Sequence, residues 1–270
     1  MADNITGKRA LITGSAQGIG RAIAEALAEQ GCRVLINCAH SPAKAEAVCR
    51  KLVDRGLNAG LLLCDVADEA DVQAERVFAF ACNLGDPADI DALVAKAEKA
   101  AGAIDILVNN ARLDPYKRMP GMSDGVWFNR LLNVNLTGAY LCAQAVKEGM
   151  KRRCWGRILN ISSVQAHIGM EPRLLPYAVS KAGMHALTRC LALELGDFGI
   201  TVNSLAPGMV ETENMRKRLT PEEIELKLKR FPLHRAAAEK EIAEAAVNTI
   251  RCGAMTGETV NINSGVYFAP

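Results

Sequence analysis

Short apolar runs alternate with helical patterns along almost the whole chain, and this alternation constrains the fold more than any other feature. The strand-like runs, in chain order, are RALITG, RVLINC, IDILVNN, GRILNISS, ITVNSLAPG and ETVNIN. They are apolar almost throughout, as expected for strands that are covered on both faces. Strands that alternate with helices in this way predict an α/β fold: one domain with a doubly wound parallel sheet between two layers of helices.

The composition narrows the classes of partner. The chain has 270 residues, half of them apolar, and 32 basic residues stand against 30 acidic ones, which leaves the net charge close to zero. We therefore expect no nucleic-acid partner and no acidic membrane partner. No apolar run is long enough to cross a membrane, and the N-terminus lacks an apolar signal segment. Nine scattered cysteines without metal-ligand spacing indicate free thiols, a cytoplasmic location and no metal site.

One segment, residues 61–92, interrupts the alternation. The stretch LLLCDVADEADVQA, which begins at Leu61, is echoed at an offset of 18 residues by AFACNLGDPADIDA, which begins at Ala79. We interpret the echo as a local duplication that leaves two candidates for the third strand. The first copy follows directly from the preceding helix, whereas the second leads into a helix with Asp86 as its cap and Pro87 in its first turn. Both candidates remain open.

The stretch TGSAQGIG joins the first strand to the first helix. Glycines at Gly14, Gly18 and Gly20 allow a phosphate to approach the backbone closely, and the N-terminus of the helix offers free N–H groups to a diphosphate. A glycine triplet alone is a weak signal, since it also suits an ordinary tight turn. Its position at the first junction between strand and helix favours a dinucleotide site.

The stretch YAVSK places a tyrosine and a lysine on one helix face. Tyr177 and Lys181 are four residues apart. An ammonium beside a phenol stabilises the phenolate, so the tyrosine can act as a general acid or base near neutral pH. The preceding strand ends in NISS, which brings Ser163 to the edge where open α/β sheets bind ligands.

Six motifs in this order resemble the short-chain dehydrogenase/reductase family over nearly the whole chain. They are the glycine motif Thr13–Gly20, NNA at Asn109–Ala111, VNL around Asn135, Ser163, Tyr177 with Lys181, and Pro207–Gly208 with Thr212. The resemblance implies a Rossmann-type fold and a nicotinamide-dependent enzyme that interconverts a small-molecule ketone and a secondary alcohol. It also implies a homotetramer and a segment at about residues 211–232 that closes over the substrate.

The resemblance implies a role for each residue of the catalytic set. Tyr177 exchanges a proton with the substrate oxygen, Lys181 lowers the tyrosine pKa and holds the ribose, and Ser163 binds the substrate oxygen. Asn135 holds a water that relays protons to Lys181. The implied cofactor contacts are Gly14, Ser15, Gln17, Gly18, Ile19, Gly20, His40, Asp65 or Asn83, Asn109, Ala111, Arg112, Tyr177, Lys181, Pro207, Gly208, Val210 and Thr212.

The end of the second strand bears on the choice between the two nicotinamide cofactors. NAD enzymes of this kind place an acid where this chain has Cys38, and NADP enzymes often place an arginine where it has Ala39. No carboxylate is there to repel a 2′-phosphate, and His40, Ser41 and Lys44 could meet one. We therefore expect NADP(H) to be favoured over NAD(H).

Arg112 stands where the family usually has a glycine after NNA. We expect its side chain to contact a cofactor phosphate or an anionic substrate group, with a solvent-facing arginine as the alternative. Together with Lys117, Arg118 and Arg173 it could supply positive charge for a small polar or anionic ketone, sugar or hydroxy acid, with solvated surface charges as the alternative. A rival reading is a 3-oxoacyl-carrier-protein reductase, for which Lys151, Arg152 and Arg153 would bind the carrier and Leu193 replaces a second basic position. Readings of another class are a catalytically silent dinucleotide-binding protein and a structural subunit.

Overall fold

The chain forms a parallel β-sheet between two layers of helices. The computed structural model describes residues 2–39, 42–61, 79–80, 84–169 and 171–268. The strands of the main sheet are β1 Arg9–Ile12, β2 Arg33–Asn37, β3 Ala59–Leu61, β4 Ala79–Phe80, β5 Ile106–Asn109, β6 Gly156–Ile161, β7 Ile200–Pro207 and β10 Thr259–Ile262. A separate small pair joins β8 Val210–Glu211 to β9 Ala237–Ala238.

Nine α-helices lie between and beyond these strands in the described part of the chain. They are α1 Gly18–Glu29, α2 Pro42–Asp54, α3 Pro87–Ala101, α4 Asp124–Leu132, α5 Gly138–Arg152, α6 Leu175–Leu195, α7 Glu213–Arg218, α8 Pro221–Leu228 and α9 Glu239–Arg251. The cap predicted for α3 is confirmed, because the Asp86 carboxylate accepts a hydrogen bond from Ala88 N.

Alternate strand residues enter two hydrophobic cores. Ala10 and Ile12 of β1 pack in one core with α1, α2 and α9, whereas Leu11 packs in the other with α3, α5 and α6. Residues of β2 and β5 alternate in the same way. Because a strand projects successive side chains to opposite faces, helices cover both faces of the sheet. The predicted doubly wound sheet is confirmed.

The strand order places a crevice at the carboxyl ends of the central strands. The order across the sheet is β3-β2-β1-β5-β6-β7-β10, and the pairs are parallel. The chain winds outward in one direction from β1 and in the other direction from β5, so the winding reverses between these two strands. Open α/β sheets bind ligands at this kind of switch point.

Two short strands lie beside β2: β3, which ends where the first copy of the duplicated segment begins, and β4, which begins the second copy. Residues Ala59 and Gly60 of β3 pair with Val34 and Leu35, while β4 pairs with the next two residues of β2, Ile36 and Asn37. The register is therefore continuous from Gly60 to Ala79, although 18 residues, 61–78, separate them in the sequence. This length equals the offset of the duplication. The choice between the two predicted third strands stays open, because Asp65 and Asn83 lie outside the described residues.

We expect deletion of residues 61–78 to leave the sheet intact. The deletion joins Gly60 to Ala79 in the register that they already hold beside β2, and a shorter connection lowers the entropic cost of loop closure by about 1 kcal/mol or less. The variant should unfold cooperatively within a few degrees of the parent in thermal denaturation followed by circular dichroism. The matched control is deletion of 61–77, which shifts the register by one residue and turns the following side chains to the wrong faces. Equal loss of stability in both variants would contradict this continuous register.

The described residues contain no helix long and apolar enough to cross a membrane. The seven cysteines in the described ranges are free thiols.

Candidate active site

A cleft of about 920 Å³ opens at the carboxyl ends of β1, β2, β5, β6 and β7. Most of the site residues predicted from the sequence line this one cleft. They are Gly14, Gln17, Gly18, Ile19, Gly20, Ala111, Arg112, Ser163, Tyr177, Lys181, Pro207, Gly208, Val210 and Thr212. His40, Asp65 and Asn83 lie outside the described residues.

The glycine loop is held tightly against the end of β5. Gly14 has φ +65°, and a Cβ there would lie 2.9 Å from Ala111 Cα. A Cβ on Gly20 would collide with the Asn110 side chain. At Gly18, by contrast, the nearest atom to an added Cβ is Glu239 Oε1, 4.0 Å away, and no side chain caps α1 at Gln17. An uncapped helix N-terminus beside open space suits a diphosphate, so the loop fits a dinucleotide.

Two predicted contacts support the loop instead of facing the cleft. The Ser15 hydroxyl donates to Ile12 O at 2.7 Å and accepts from Asn37 N at 3.0 Å. The Asn109 amide donates to Asn160 Oδ1 at 2.9 Å. Both side chains are buried, and neither lines the cleft. Both side chains are therefore used inside the protein, and a cofactor contact by the backbone of either residue stays a prediction.

Asn110 links the end of β1 to the end of β5, a role that the sequence did not predict. Its side-chain amide donates to Thr13 O at 2.9 Å and to Gly14 O at 3.0 Å. The Thr13 hydroxyl accepts from the backbone N–H groups of Asn110 and Ala111 at 3.0 and 3.1 Å. These bonds join the end of β1 to the end of β5. The signal was present in the second asparagine of NNA.

Tyr177, Lys181 and Ser163 line the same cleft. Lys181 Nζ lies 5.9 Å from the centre of the Tyr177 ring on α6, as the spacing of four predicted. The ammonium is buried and donates to Ile161 O at 2.7 Å. Ser163 follows β6 directly, and its hydroxyl accepts from Gln165 N at 3.2 Å at the start of a short 3₁₀ helix. The half-buried phenol of Tyr177, the buried ammonium of Lys181 and the hydroxyl of Ser163 thus belong to one wall of this cleft.

Asn135 lies behind this wall and does not line the cleft. It belongs to the π-helical turn Asn133–Thr137 between α4 and α5, a feature that often occurs at functional sites. Its Oδ1 accepts from Leu113 N at 2.8 Å, and its Nδ2 donates to Ser180 Oγ at 3.2 Å. The buried amide therefore connects the loop after β5 to helix α6. The structure does not bring its side chain to the substrate side.

Arg112 stands beside the tyrosine–lysine pair. Its Cζ is 6.0 Å from the centre of the Tyr177 ring, and its nearest carboxylate partner is Asp114, with 3.8 Å between Nη1 and Oδ1. Burial, helped by the positive charge of Arg112, lowers the pKa of Lys181 to about 7. The residue in the usual glycine position thus acts on the electrostatics of the candidate catalytic pair.

Side-chain contacts at the outer rim of the cleft join three separate segments: the loop after β5, the loop before α6, and helices α7 and α8. The guanidinium groups of Arg173 and Arg218 lie over the Tyr116 ring, with Cζ-to-centroid distances of 4.8 and 3.8 Å. The Glu171 carboxylate pairs with Arg173 and with Lys227 of α8 at 2.8 Å each. Although burial raises the pKa of Glu171, these two cations outweigh it and lower the pKa overall. Helices α7 and α8 are thereby tied to the loops that flank Tyr177.

A histidine cluster under the site was not predicted. Ser162 Oγ and His185 Nε2 are 2.6 Å apart, and the rings of His167 and His185 have centroids 4.7 Å apart. Burial, helped by the charges of His167, Arg189 and Lys181, lowers the pKa of His185 to about 4, so this ring is neutral at physiological pH. The cluster connects the end of β6 to α6. A sequence signal existed, because His185 lies one helical turn after Lys181.

The end of β2 forms the far end of the cleft. Cys38 and Ala39 line it, so the structure places no side-chain carboxylate at these two positions. Lys44 Nζ of α2 donates to Gln17 Oε1 in the glycine loop at 3.0 Å. An ammonium therefore stands where the adenosine side of a dinucleotide would lie.

Comparison with known families agrees with this geometry. The family described as "short chain dehydrogenase" matches residues 8–75, and the one described as "Enoyl-(Acyl carrier protein) reductase" matches residues 73–267. The chain belongs to the short-chain dehydrogenase/reductase family, and it is an oxidoreductase of the kind that interconverts ketones and alcohols. The two matches meet within the duplicated segment.

Individual relatives cover the chain from end to end. The 3-oxoacyl-[acyl-carrier-protein] reductase FabG of Vibrio harveyi is 37% identical over 98% of this chain and 99% of its own length. The enzyme of the same name from Staphylococcus aureus is 34% identical over 96% and 98%. Among solved structures, a 7α-hydroxysteroid dehydrogenase complexed with NADH and 7-oxo glycochenodeoxycholic acid has a TM-score of 0.83 at 29% identity, over 97% of this chain and 95% of that one. A short-chain dehydrogenase/reductase of Serratia marcescens has a TM-score of 0.82 at 27% identity, over 98% and 99%.

We expect Arg112→Gln to raise the pKa of Lys181, since it removes a neighbouring positive charge. Lys181 has a folded-state pKa of about 7 and loses its proton as the pH rises through that value, so the charged form would persist to higher pH in the variant. The alkaline limb of kcat/KM for a neutral ketone should move upward by roughly several tenths of a pH unit. The control is Arg50→Gln, an exposed arginine of α2. An alkaline limb at the same pH in Arg112→Gln would show that the two charges do not interact.

Proposed function

We propose that the protein is an NADP(H)-dependent reductase of a small-molecule ketone, with Tyr177 as the proton donor and Lys181 and Ser163 as its partners. The observation that carries the proposal is that these three side chains line the same cleft as the glycine loop, with Lys181 Nζ 5.9 Å from the centre of the Tyr177 ring. When bound, a reduced nicotinamide supplies the hydride that the carbonyl carbon accepts. The protein contributes the proton, the orientation and the local charge.

The roles of the three side chains follow from their surroundings. The Tyr177 hydroxyl donates a proton to the carbonyl oxygen, which becomes the alcohol oxygen. Lys181, held at Ile161 O, supplies a nearby positive charge that stabilises the phenolate left behind, and it would also hold the ribose. The Ser163 hydroxyl is a donor for the oxygen as its negative charge develops.

We assign Asn135 a positioning role. Its amide holds Leu113 N and Ser180 Oγ, so it fixes the loop that carries Arg112 against the helix that carries Tyr177 and Lys181. The proton relay through a water, which the family resemblance implies for this residue, stays a prediction.

Lys44 supports the preference for NADP(H). Its ammonium touches the glycine loop, and the two positions at the end of β2, Cys38 and Ala39, carry no acid that would repel a 2′-phosphate. Contributions from His40, and from Asp65 or Asn83 at the adenine, remain predictions. A homotetramer, a cytoplasmic location and a closing segment made by α7 and α8 are likewise proposals, drawn from the family resemblance.

A carrier-protein substrate is the second candidate, favoured by the names of the full-length relatives. The basic cluster at the end of α5 argues against it. Lys151 pairs with Glu148 at 3.0 Å, and Arg153 pairs with Asp105 at 3.3 Å and donates to Ile104 O at 2.6 Å. Two of three basic residues are thus engaged within the chain. At the second expected basic position, Leu193 is 87% exposed. A small free ketone fits this surface better.

We expect Tyr177→Phe to lower kcat for a responsive ketone by a factor of about 10² to 10⁴, because it removes the proton donor. The dissociation constant of NADPH, measured by fluorescence titration, should change by less than about threefold, since the ring stays in place. Tyr140→Phe, on the exposed face of α5, is the matched control. Tight NADPH binding with no turnover of any ketone or alcohol by the parent protein would favour the catalytically silent reading.

Lys44→Ala should weaken NADPH binding by about tenfold and leave NADH nearly unchanged, because a charge-assisted bond to phosphate is lost. Lys51→Ala on the same helix, whose ammonium pairs with Glu25 instead, is the matched control. Equal weakening of both cofactors in Lys44→Ala would count against a 2′-phosphate site at this residue.

A further inference from the structure

We propose that Arg112 binds a carboxylate of the substrate, so that the preferred substrates are oxo acids and the corresponding hydroxy acids. The inference rests on the proposed function and deepens it, because it names the substrate class of the same site. Four observations carry it: the place of Arg112 in the cleft, the weakness of its internal ion pair, its nearness to Lys181 and the location of the phosphate cradle.

Arg112 lies close enough to Tyr177 to reach a substituent of the reacting carbonyl. Its Cζ is 6.0 Å from the centre of the Tyr177 ring, and both residues line the same cleft. The carbonyl oxygen must meet the Tyr177 hydroxyl for proton transfer. A guanidinium at this distance can therefore reach an anionic group a few bonds away from the carbonyl carbon, and its planar set of donors matches a carboxylate.

The Arg112 charge is only weakly neutralised by the protein. Its ion pair with Asp114 spans 3.8 Å, beyond hydrogen-bond distance, and Asp114 Oδ1 already accepts from Tyr116 N at 3.1 Å. Arg173 at the rim differs, because its Nε donates to Glu171 at 2.8 Å. The Arg112 guanidinium therefore keeps N–H groups that can donate hydrogen bonds to a ligand.

The neighbourhood of Lys181 makes an anion favourable at this place. Arg112 and Lys181 are two cations on one wall, and their repulsion adds to the burial that lowers the lysine pKa. A carboxylate bound to Arg112 would offset that repulsion. It would also favour the charged ammonium that Tyr177 needs, so substrate binding and the readiness of the catalytic pair would be coupled.

A cofactor phosphate is the other source of negative charge, and the structure favours a different place for it. The uncapped N-terminus of α1, with open space at Gly18, is the phosphate cradle at the loop after β1. Arg112 instead faces Tyr177, where the substrate reacts. We therefore assign the Arg112 partner to the substrate and leave a cofactor contact as an outcome of the test.

The chemistry balances without a further reactant. In an oxo acid the carbonyl carbon accepts hydride from the reduced nicotinamide, and the oxygen accepts the Tyr177 proton, which solvent then restores. The products are a hydroxy acid and the oxidised cofactor, and the carboxylate stays ionised on Arg112 throughout.

The experiment compares matched acid and ester pairs: 3-oxobutanoate with its methyl ester, and 4-oxopentanoate with its methyl ester. For each pair, the ratio of kcat/KM for the acid to that for the ester is measured in the parent protein, in Arg112→Gln and in Arg112→Lys. We expect the ratio for the better pair to fall about 10- to 100-fold in Arg112→Gln, because a charge-assisted pair is lost, and to fall less in Arg112→Lys. Taking the ratio removes any change in Tyr177 or Lys181 that acts on both substrates.

Arg173→Gln is the matched control, since it removes a rim arginine that is already paired with Glu171. We expect its ratio to stay within about threefold of the parent value. A ratio that falls in Arg173→Gln and not in Arg112→Gln would overturn the assignment and place the carboxylate at the rim. Weakened NADPH binding in Arg112→Gln, with an unchanged ratio, would overturn it in favour of a cofactor phosphate.

A binding measurement separates this inference from the proposed function. Calorimetry with the NADP⁺-loaded protein compares 3-hydroxybutanoate with its methyl ester, in the parent and in Arg112→Gln. Tighter binding of the acid that is lost in the variant supports the carboxylate site even if no ketone is turned over. Neutral ketones reduced normally, with no preference for acids in binding or in rate, would refute the site and leave the reductase assignment intact.

Discussion

The hydrogen bonds that join Thr13 to Asn110 and Ala111 are the constraint on which the cleft depends. They close the gap between β1 and β5, the two strands between which the winding reverses, and they use a hydroxyl and an amide that are almost fully satisfied inside the protein. Each such bond contributes about 1 kcal/mol net, but breaking the set would leave several part-buried polar groups unpaired. Because Gly14 and Gly20 pack directly on Ala111 and Asn110, the phosphate-binding loop cannot shift without moving the loop that carries Arg112. The two ends of the ligand site are therefore set by one junction.

The same junction explains how a buried ammonium is tolerated. Lys181 is held by Ile161 O at the end of β6, and β6 is aligned by its pairing with β5. The burial costs stability at low pH, because the unfolded chain keeps lysine charged more readily than the folded one does; that cost falls as the pH rises above about 7 toward the unfolded-state value. Natural sites accept such a cost where function needs a tuned group. The positive charge of Arg112 increases the cost of keeping Lys181 charged. This repulsion is a physical reason to look for an anionic ligand of Arg112.

Some relative positions of the site residues follow directly from the sequence, because residue spacing alone determines them. Tyr177 and Lys181 share a helix face because residues four apart on any helix do so. Ser163 must lie at the edge of the sheet because it follows the strand in GRILNISS. The sequence could not show that the side chains of Ser15 and Asn109 turn inward, since a polar residue beside a ligand loop can face either the ligand or the core, and only packing decides which. Asn110 and His185 were missed for the same reason. Their partners, Thr13 and Ser162, are 97 and 23 residues away in the chain, and no local pattern announces such pairs.

At the third strand, sequence patterns cannot predict the register in which a segment pairs with β2. Both copies of the duplicated segment have strand character, so a pattern can only offer two candidates. Beside β2 each of the two parallel ladders has two residue pairs, and the second copy begins its pairing at the β2 residue after the one where β3 stops. An insertion whose length equals the repeat offset leaves the register of everything that follows unchanged. A duplication of this kind therefore preserves Asp86 at the start of α3 and, beyond it, the strand that leads to Arg112.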